Sequence, residues 1–107
     1  MEKDKDLKIL TRVEIDKRLK KLVGWKYGKN KIYKEYLFES FSKAIKFVDR
    51  LAPFFNKIDH HPDIHIFYKK ILFELTRYSV GGKVTERDFT DARKIESEYK
   101  NFKPSTP

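Results

Sequence analysis

Asp63-Ile64-His65-Ile66-Phe67-Tyr68-Lys69-Lys70-Ile71-Leu72-Phe73-Glu74-Leu75-Thr76-Arg77-Tyr78 is the stretch whose reading decides the fold. It holds two runs rich in β-branched and aromatic residues around a short basic pair. In the second run Ile71, Phe73 and Leu75 alternate with Leu72, Glu74 and Thr76, and a period of two marks a strand. The pattern predicts strands over about Asp63–Tyr68 and Ile71–Tyr78, with a turn around Lys69-Lys70. A connection that short allows only an antiparallel hairpin.

The pattern upstream changes period. Ser40 is a candidate N-cap. After it Phe41, Ala44, Ile45, Val48, Ala52 and Phe55 recur at helical spacing, widened by Phe47, Leu51 and Phe54. Pro53 lacks a backbone donor and is expected to kink or end this helix. A second hairpin precedes the helix, with strands at about Trp25–Tyr27 and Lys31–Phe38 around Gly28-Lys29-Asn30. Before that, Thr11 and Glu14 make a capping box, and Leu10 with Ile15 a hydrophobic staple. Ile15, Leu19, Leu22 and Val23 give the first helix its apolar face, and Gly24 stops it. Downstream, Gly81-Gly82 breaks the last strand. Thr85 opens a third helix with Asp88 in the box position, Val84 and Phe89 as its staple, and Phe89, Ala92 and Ile95 on its buried side.

The element order is α-β-β-α-β-β-α. Two hairpins separated by a helix predict an α+β fold: one four-stranded antiparallel sheet with three helices on one face. An open sheet has two edges, and pairing between subunits would bury one of them. The length, 107 residues, suits one domain with one core, expected over residues 1–107 with a core at about 10–98. The charged residues 1–6 and the tail Lys103-Pro104-Ser105-Thr106-Pro107 read as loose ends.

Composition narrows the function. There is no cysteine, which excludes disulfides and thiolate metal sites. No stretch approaches the roughly 20 apolar residues of a membrane span, and the N-terminus has no apolar signal segment; a soluble cytoplasmic protein is the expectation. The net charge of +9 raises the question of a nucleic-acid partner. The 19 lysines outnumber the 6 arginines and are scattered in short pairs such as Lys20-Lys21 and Lys69-Lys70. Arginine is the residue suited to bidentate recognition of bases and phosphates. A solvated basic surface is therefore the better reading, and nucleic acid is not expected.

All three histidines lie in Asp59-His60-His61-Pro62-Asp63-Ile64-His65. Three readings compete. The segment reads as a polar loop from helix to strand, closed by Pro62. It also offers imidazole and carboxylate ligands for a metal, although adjacent histidines point apart and no helical His pair exists. Finally, it offers acid–base groups that titrate near neutrality, beside aromatic strands able to bind a flat heterocycle.

Asp59-His60-His61-Pro62, Tyr68 ten residues before Tyr78, and Thr85-Glu86-Arg87-Asp88 resemble the pterin-4a-carbinolamine dehydratase family, also known as the dimerisation cofactor of a homeodomain transcription factor. Leu22-Val23-Gly24-Trp25, Ile32-Tyr33-Lys34 with Tyr36 and Phe38, and Phe41, Ala44 and Phe47 extend the likeness over about residues 10–98. The resemblance implies the α+β fold just described, and dimers or tetramers. It implies dehydration of a 4a-hydroxytetrahydropterin to the quinonoid dihydropterin, with no metal and no organic cofactor. It places His60 and His61 in pterin binding and proton transfer, lets Pro62 shape the loop, and makes Asp59 and Asp88 substrate-binding or supporting residues of the site. Tyr78 stands where the family has a third histidine or a tryptophan. Phenol is a poor base at neutral pH, so Tyr78, the third residue of the catalytic set, is expected to act by hydrogen bonding or by donating a proton. Asn56 stands at an often acidic position, Ile64 at an often aromatic one, and the Gly81-Gly82-Lys83 turn is one residue longer.

Overall fold

The computed structural model describes residues 6–104. The deciding hairpin forms, with β3 at Asp63–Phe67 and β4 at Lys70–Leu75, Ile66 facing Ile71 across it. Its turn is Tyr68-Lys69, one residue earlier than expected, with Tyr68 at φ 57. The other hairpin pairs β1 (Lys26–Gly28) with β2 (Lys31–Leu37). Lys29 and Asn30 both adopt positive φ there, as a two-residue turn matched to the strand twist requires.

β2 then pairs antiparallel with β4, Ile32 facing Leu75 and Tyr36 facing Ile71. The strand order is β1-β2-β4-β3, so β1 and β3 are the edges. The three helices are α1 (Arg12–Leu19), α2 (Phe41–Ile58) and α3 (Glu86–Tyr99). Both the four-stranded antiparallel sheet and the α-β-β-α-β-β-α order agree with the sequence expectation.

The core follows from the period-two alternation. Ile32, Tyr36, Ile71, Phe73 and Leu75 are buried on the face that meets Phe47, Leu51 and Phe55 of α2 and Phe89, Ala92 and Ile95 of α3. Phe47 is central, its ring within 5.0 Å of Phe38, 5.9 Å of Phe73 and 6.1 Å of Tyr36, centre to centre. Trp25 is also buried, and its indole N–H donates to the Tyr36 hydroxyl.

Three local expectations are corrected, while Pro53, expected to kink or end the second helix, lies inside α2, which runs on to Ile58. Pro53 and Asp49, the residue whose carbonyl loses its partner, are both exposed, a setting in which solvent can satisfy the freed carbonyl. Phe41 and Ile45 are exposed rather than buried, because an apolar stripe that wide exceeds what the sheet can cover. The buried residues of α2 are Ala44, Phe47, Leu51 and Phe55. The first helix ends at Leu19, leaving Val23 exposed beyond it. β4 ends at Leu75, and Tyr78 opens a short 3-10 turn, Tyr78–Val80. The chain turns there because Arg77 bridges to Lys83 and its carbonyl accepts from the Gly82 amide, with Gly81 and Gly82 both at positive φ.

The ends are tied in more than their charge suggests. Asp6 forms a two-bond pair with the Arg87 guanidinium. Phe102 stacks edge-on against Phe47 at 5.4 Å. The expectation of loose ends otherwise falls on residues 1–5 and 105–107, outside the described residues.

Candidate active site

The C-terminus of α2 places the histidine pair. Asp59 adopts a left-handed conformation, φ 51 and ψ 49, just past the helix. The Asp59 amide donates to the Asn56 carbonyl, and the His60 amide to that of Phe55. This is the Schellman closure, with Asp in the position glycine usually takes. Pro62, buried, follows at the place where proline prevents the helix from resuming. The closure swings His60 inwards, leaving it 5% exposed, while His61 stays in solvent.

The N-terminus of α3 supplies the partner. Asp88 is fully buried, and one of its oxygens accepts from the Thr85 amide at 2.7 Å, capping the helix. Its other oxygen is bonded to His60 Nε2. One carboxylate therefore both closes the helix end and holds the imidazole.

The end of β4 supplies a third group. Arg77 Nη1 lies 3.3 Å from His60 Nδ1 and 3.4 Å from the Asp59 carbonyl, while its Nε donates to Ser79 Oγ. Guanidinium has donors only, so Nδ1 is the acceptor. The His60 proton then sits on Nε2 and is donated to Asp88. Across the cleft, His61 Nε2 bonds to Asn56 Oδ1 at 2.8 Å. A cleft of about 210 Å³ is lined by His60, His61, Arg77 and Tyr78, with Asp59, Thr76 and Ser79.

Tyr78 reaches this cleft only at its rim. It is 65% exposed, and its hydroxyl donates to Asp63 at the start of β3. Bonding to that carboxylate raises the phenol above its ordinary range. His65 points elsewhere, to Glu74 on the neighbouring strand. Among the described residues no three His, Asp or Glu side chains are placed to hold a metal. Nor is any helix long and apolar enough to cross a membrane.

Similarity to known proteins identifies the family of this fold. The family model described as pterin 4 alpha carbinolamine dehydratase matches residues 8–98. The chain belongs to this family. A Sulfolobus acidocaldarius protein provisionally named pterin-4-alpha-carbinolamine dehydratase is 42% identical, over 77% of this chain and 89% of its own. A Sulfurisphaera tokodaii protein of the same provisional name is 38% identical, over 84% and 96%. The crystal structure of a transcriptional coactivator/pterin dehydratase from Brucella melitensis superimposes with a TM-score of 0.80 at 31% identity, covering 85% of this chain and 98% of that one. A pterin dehydratase-like protein identified as a RuBisCO assembly factor in the α-carboxysome shares the fold, with a TM-score of 0.58 at 22% identity over 70% and 88%.

Within this dehydratase family fold, the cleft gathers His60, His61, Asp59 and the rim of Tyr78, with Asp88 and Pro62 behind them. Sequence reasoning passed over Arg77, which carries no motif, and weighed Asp63 only as a possible metal ligand, not as the partner of Tyr78. For Arg77 the available signal was adjacency, since it directly precedes Tyr78 and both line the cleft. Asn56 had been noted only as a departure, yet it orients His61.

Proposed function

We propose that the protein is a hydro-lyase acting on a 4a-hydroxytetrahydropterin, eliminating water to give the quinonoid dihydropterin. The observation that carries this reading is the Asp88–His60 pair beside His61 on one cleft, in a chain of the pterin carbinolamine dehydratase family. Hydroxide is a poor leaving group, so the departing oxygen must take up a proton, and the ring must lose one. Imidazoles exchange protons readily near neutrality, so two of them can serve both steps without further chemistry. Asp59 and Pro62 shape the loop that carries them, Asp88 fixes the His60 ring, and Tyr78 contributes a hydroxyl at the rim.

The test is turnover of freshly generated 4a-hydroxytetrahydropterin by the pure protein. His60→Ala and His61→Ala should each lower the rate by about 10²-fold or more, the usual worth of a general acid or base. A wild-type rate equal to background, unchanged in both variants, would remove the reading. One observation favours a second reading, a non-catalytic binding or regulatory protein on the same fold. Tyr78 is turned out to Asp63, and the α-carboxysome relative of this fold is described as an assembly factor. Pterin binding without turnover would select it.

We further propose a homodimer or homotetramer joined through the β3 edge. That edge leaves Ile66 37%, Phe67 57% and Tyr68 71% exposed, a row that an unpaired strand ordinarily avoids.

A further inference from the structure

We infer that the cleft between α1, with the turn that follows it, and α3 binds a phosphate dianion, free or carried by a small phosphorylated molecule, through Lys17, Lys21, Arg18 and Arg93. This cleft shares no lining residue with the histidine cleft, so the inference stands apart from the dehydratase reading.

The cleft has a volume of about 600 Å³ and is lined by Glu14, Lys17, Arg18, Lys21, Leu22 and Arg93. That volume falls in the range of small-ligand sites. Two of its cations are held in place. Glu86, at the start of α3, accepts from Arg18 Nε on one carboxylate oxygen at 2.6 Å and from Arg93 Nη2 on the other at 3.1 Å. The Glu14 carbonyl fixes Arg18 Nη1 at 3.1 Å, and Thr90 Oγ1 fixes Arg93 Nη2 at 3.4 Å. One carboxylate thus orders two guanidiniums, and each keeps further N–H donors to offer an anion.

The two lysines complete the set. Lys17 and Lys21 are exposed and four residues apart, a spacing at which like charges face and repel each other. Neither is ion-paired to a carboxylate among the described residues. Glu14, the carboxylate on their own helix that lines the cleft, is committed to the Thr11 amide at 2.8 Å. Four cations against the two carboxylates Glu14 and Glu86 leave the cleft at +2, which a phosphate dianion balances. Attraction to the carbonyls at the end of α1 accounts for Lys17 and Arg18 in its last turn. It does not account for Arg93, which enters the same cleft from the middle of another helix. Cations that converge on a concavity from two elements suit a compact anion. An extended polyanion calls for a stripe of cations along a surface instead.

Titration of the nitrogen-15-labelled protein with inorganic phosphate, ribose 5-phosphate and ribose tests the site, at about 0.1 M salt to screen long-range attraction. The amide signals of Lys17, Lys21 and Arg93 should shift saturably with both phosphates and stay in place with ribose. Tighter binding of ribose 5-phosphate would identify a phosphorylated molecule as the ligand, and equal binding would identify phosphate itself. Lys17→Gln combined with Lys21→Gln, and separately Arg93→Gln, should each weaken binding about tenfold or more, the usual effect of losing a charge-assisted hydrogen bond. Lys69→Gln combined with Lys70→Gln removes the same charge elsewhere and should leave binding unchanged. No saturable shift up to about 10 mM phosphate, or equal weakening in the Lys69 and Lys70 variant, overturns the inference. A DNA duplex that shifts these signals when ribose 5-phosphate does not also overturns it.

Discussion

Replacing Asp91 by asparagine should change how the stability of this protein depends on pH. Asp91 is fully buried on α3, and neither carboxyl oxygen has a hydrogen-bond partner. It lies on the helix flank shared with Arg87, Lys94 and Glu98, which reach the Ile58 carbonyl, the Phe54 ring and Arg50 of α2. Burial first, and the neighbouring Asp88 second, push its carboxyl up from 3.8 to about 8, with Arg87 pulling the other way. Below the unfolded value the group is protonated in both states and costs nothing. As pH rises it ionises in the unfolded chain but not in the folded one, and that stability is lost until the folded value is passed. At about 1.4 kcal/mol per unit, the loss is about 2 kcal/mol at pH 5 and about 4 kcal/mol at pH 7. Asparagine keeps the shape and removes the titration. Every other titrating group is common to both proteins, so the gap between their curves isolates Asp91. Urea unfolding followed by Trp25 fluorescence should show the asparagine variant gaining about 4 kcal/mol relative to wild type between pH 5 and pH 8. In thermal melts this corresponds to a relative shift of roughly 20 °C. Parallel curves for the two proteins across that range would refute the claim that a buried, unpartnered carboxyl sits at this position.

Two further outcomes are expected. Tyr78→Phe should leave stability within about 0.5 kcal/mol, as for an exposed side chain with one solvent-facing bond, and turnover within a few-fold; a loss of more than about 10²-fold would place the phenol in proton transfer after all. Phe67→Asp should convert the assembly to monomers in size-exclusion chromatography with light scattering, whereas a wild type that is already monomeric removes the β3-edge interface.

The fold was legible because period and punctuation agree. Ile71, Phe73 and Leu75 alternate at period two and are fully buried, and Ser40 and Thr11 cap the helices as expected. The failures have a common cause. Periodicity reports which face of an element is apolar, not how much of that face its neighbours can cover. Phe41 and Ile45 therefore matched the pattern and remained exposed. The response of the helix to Pro53 was open for the complementary reason: its cost depends on whether the Asp49 carbonyl can reach water, which sequence does not encode.

The site was half legible for a different reason. His60, His61 and Asp88 lie in local motifs, a helix C-terminus and a helix N-terminus, and each motif fixes its own residues. Their convergence depends on the packing of α2 against α3, and no spacing in the sequence measures that. Arg77 was invisible because its role depends on a backbone event, the bridge to Lys83 that ends β4 early and turns Tyr78 out to Asp63. The loop after β4 therefore decides which side chains line the cleft beside His60. With Arg77 and Asp88 fixed on opposite sides of one imidazole, a histidine substituted at position 78 would meet the rim and Asp63 unless this turn were also reshaped.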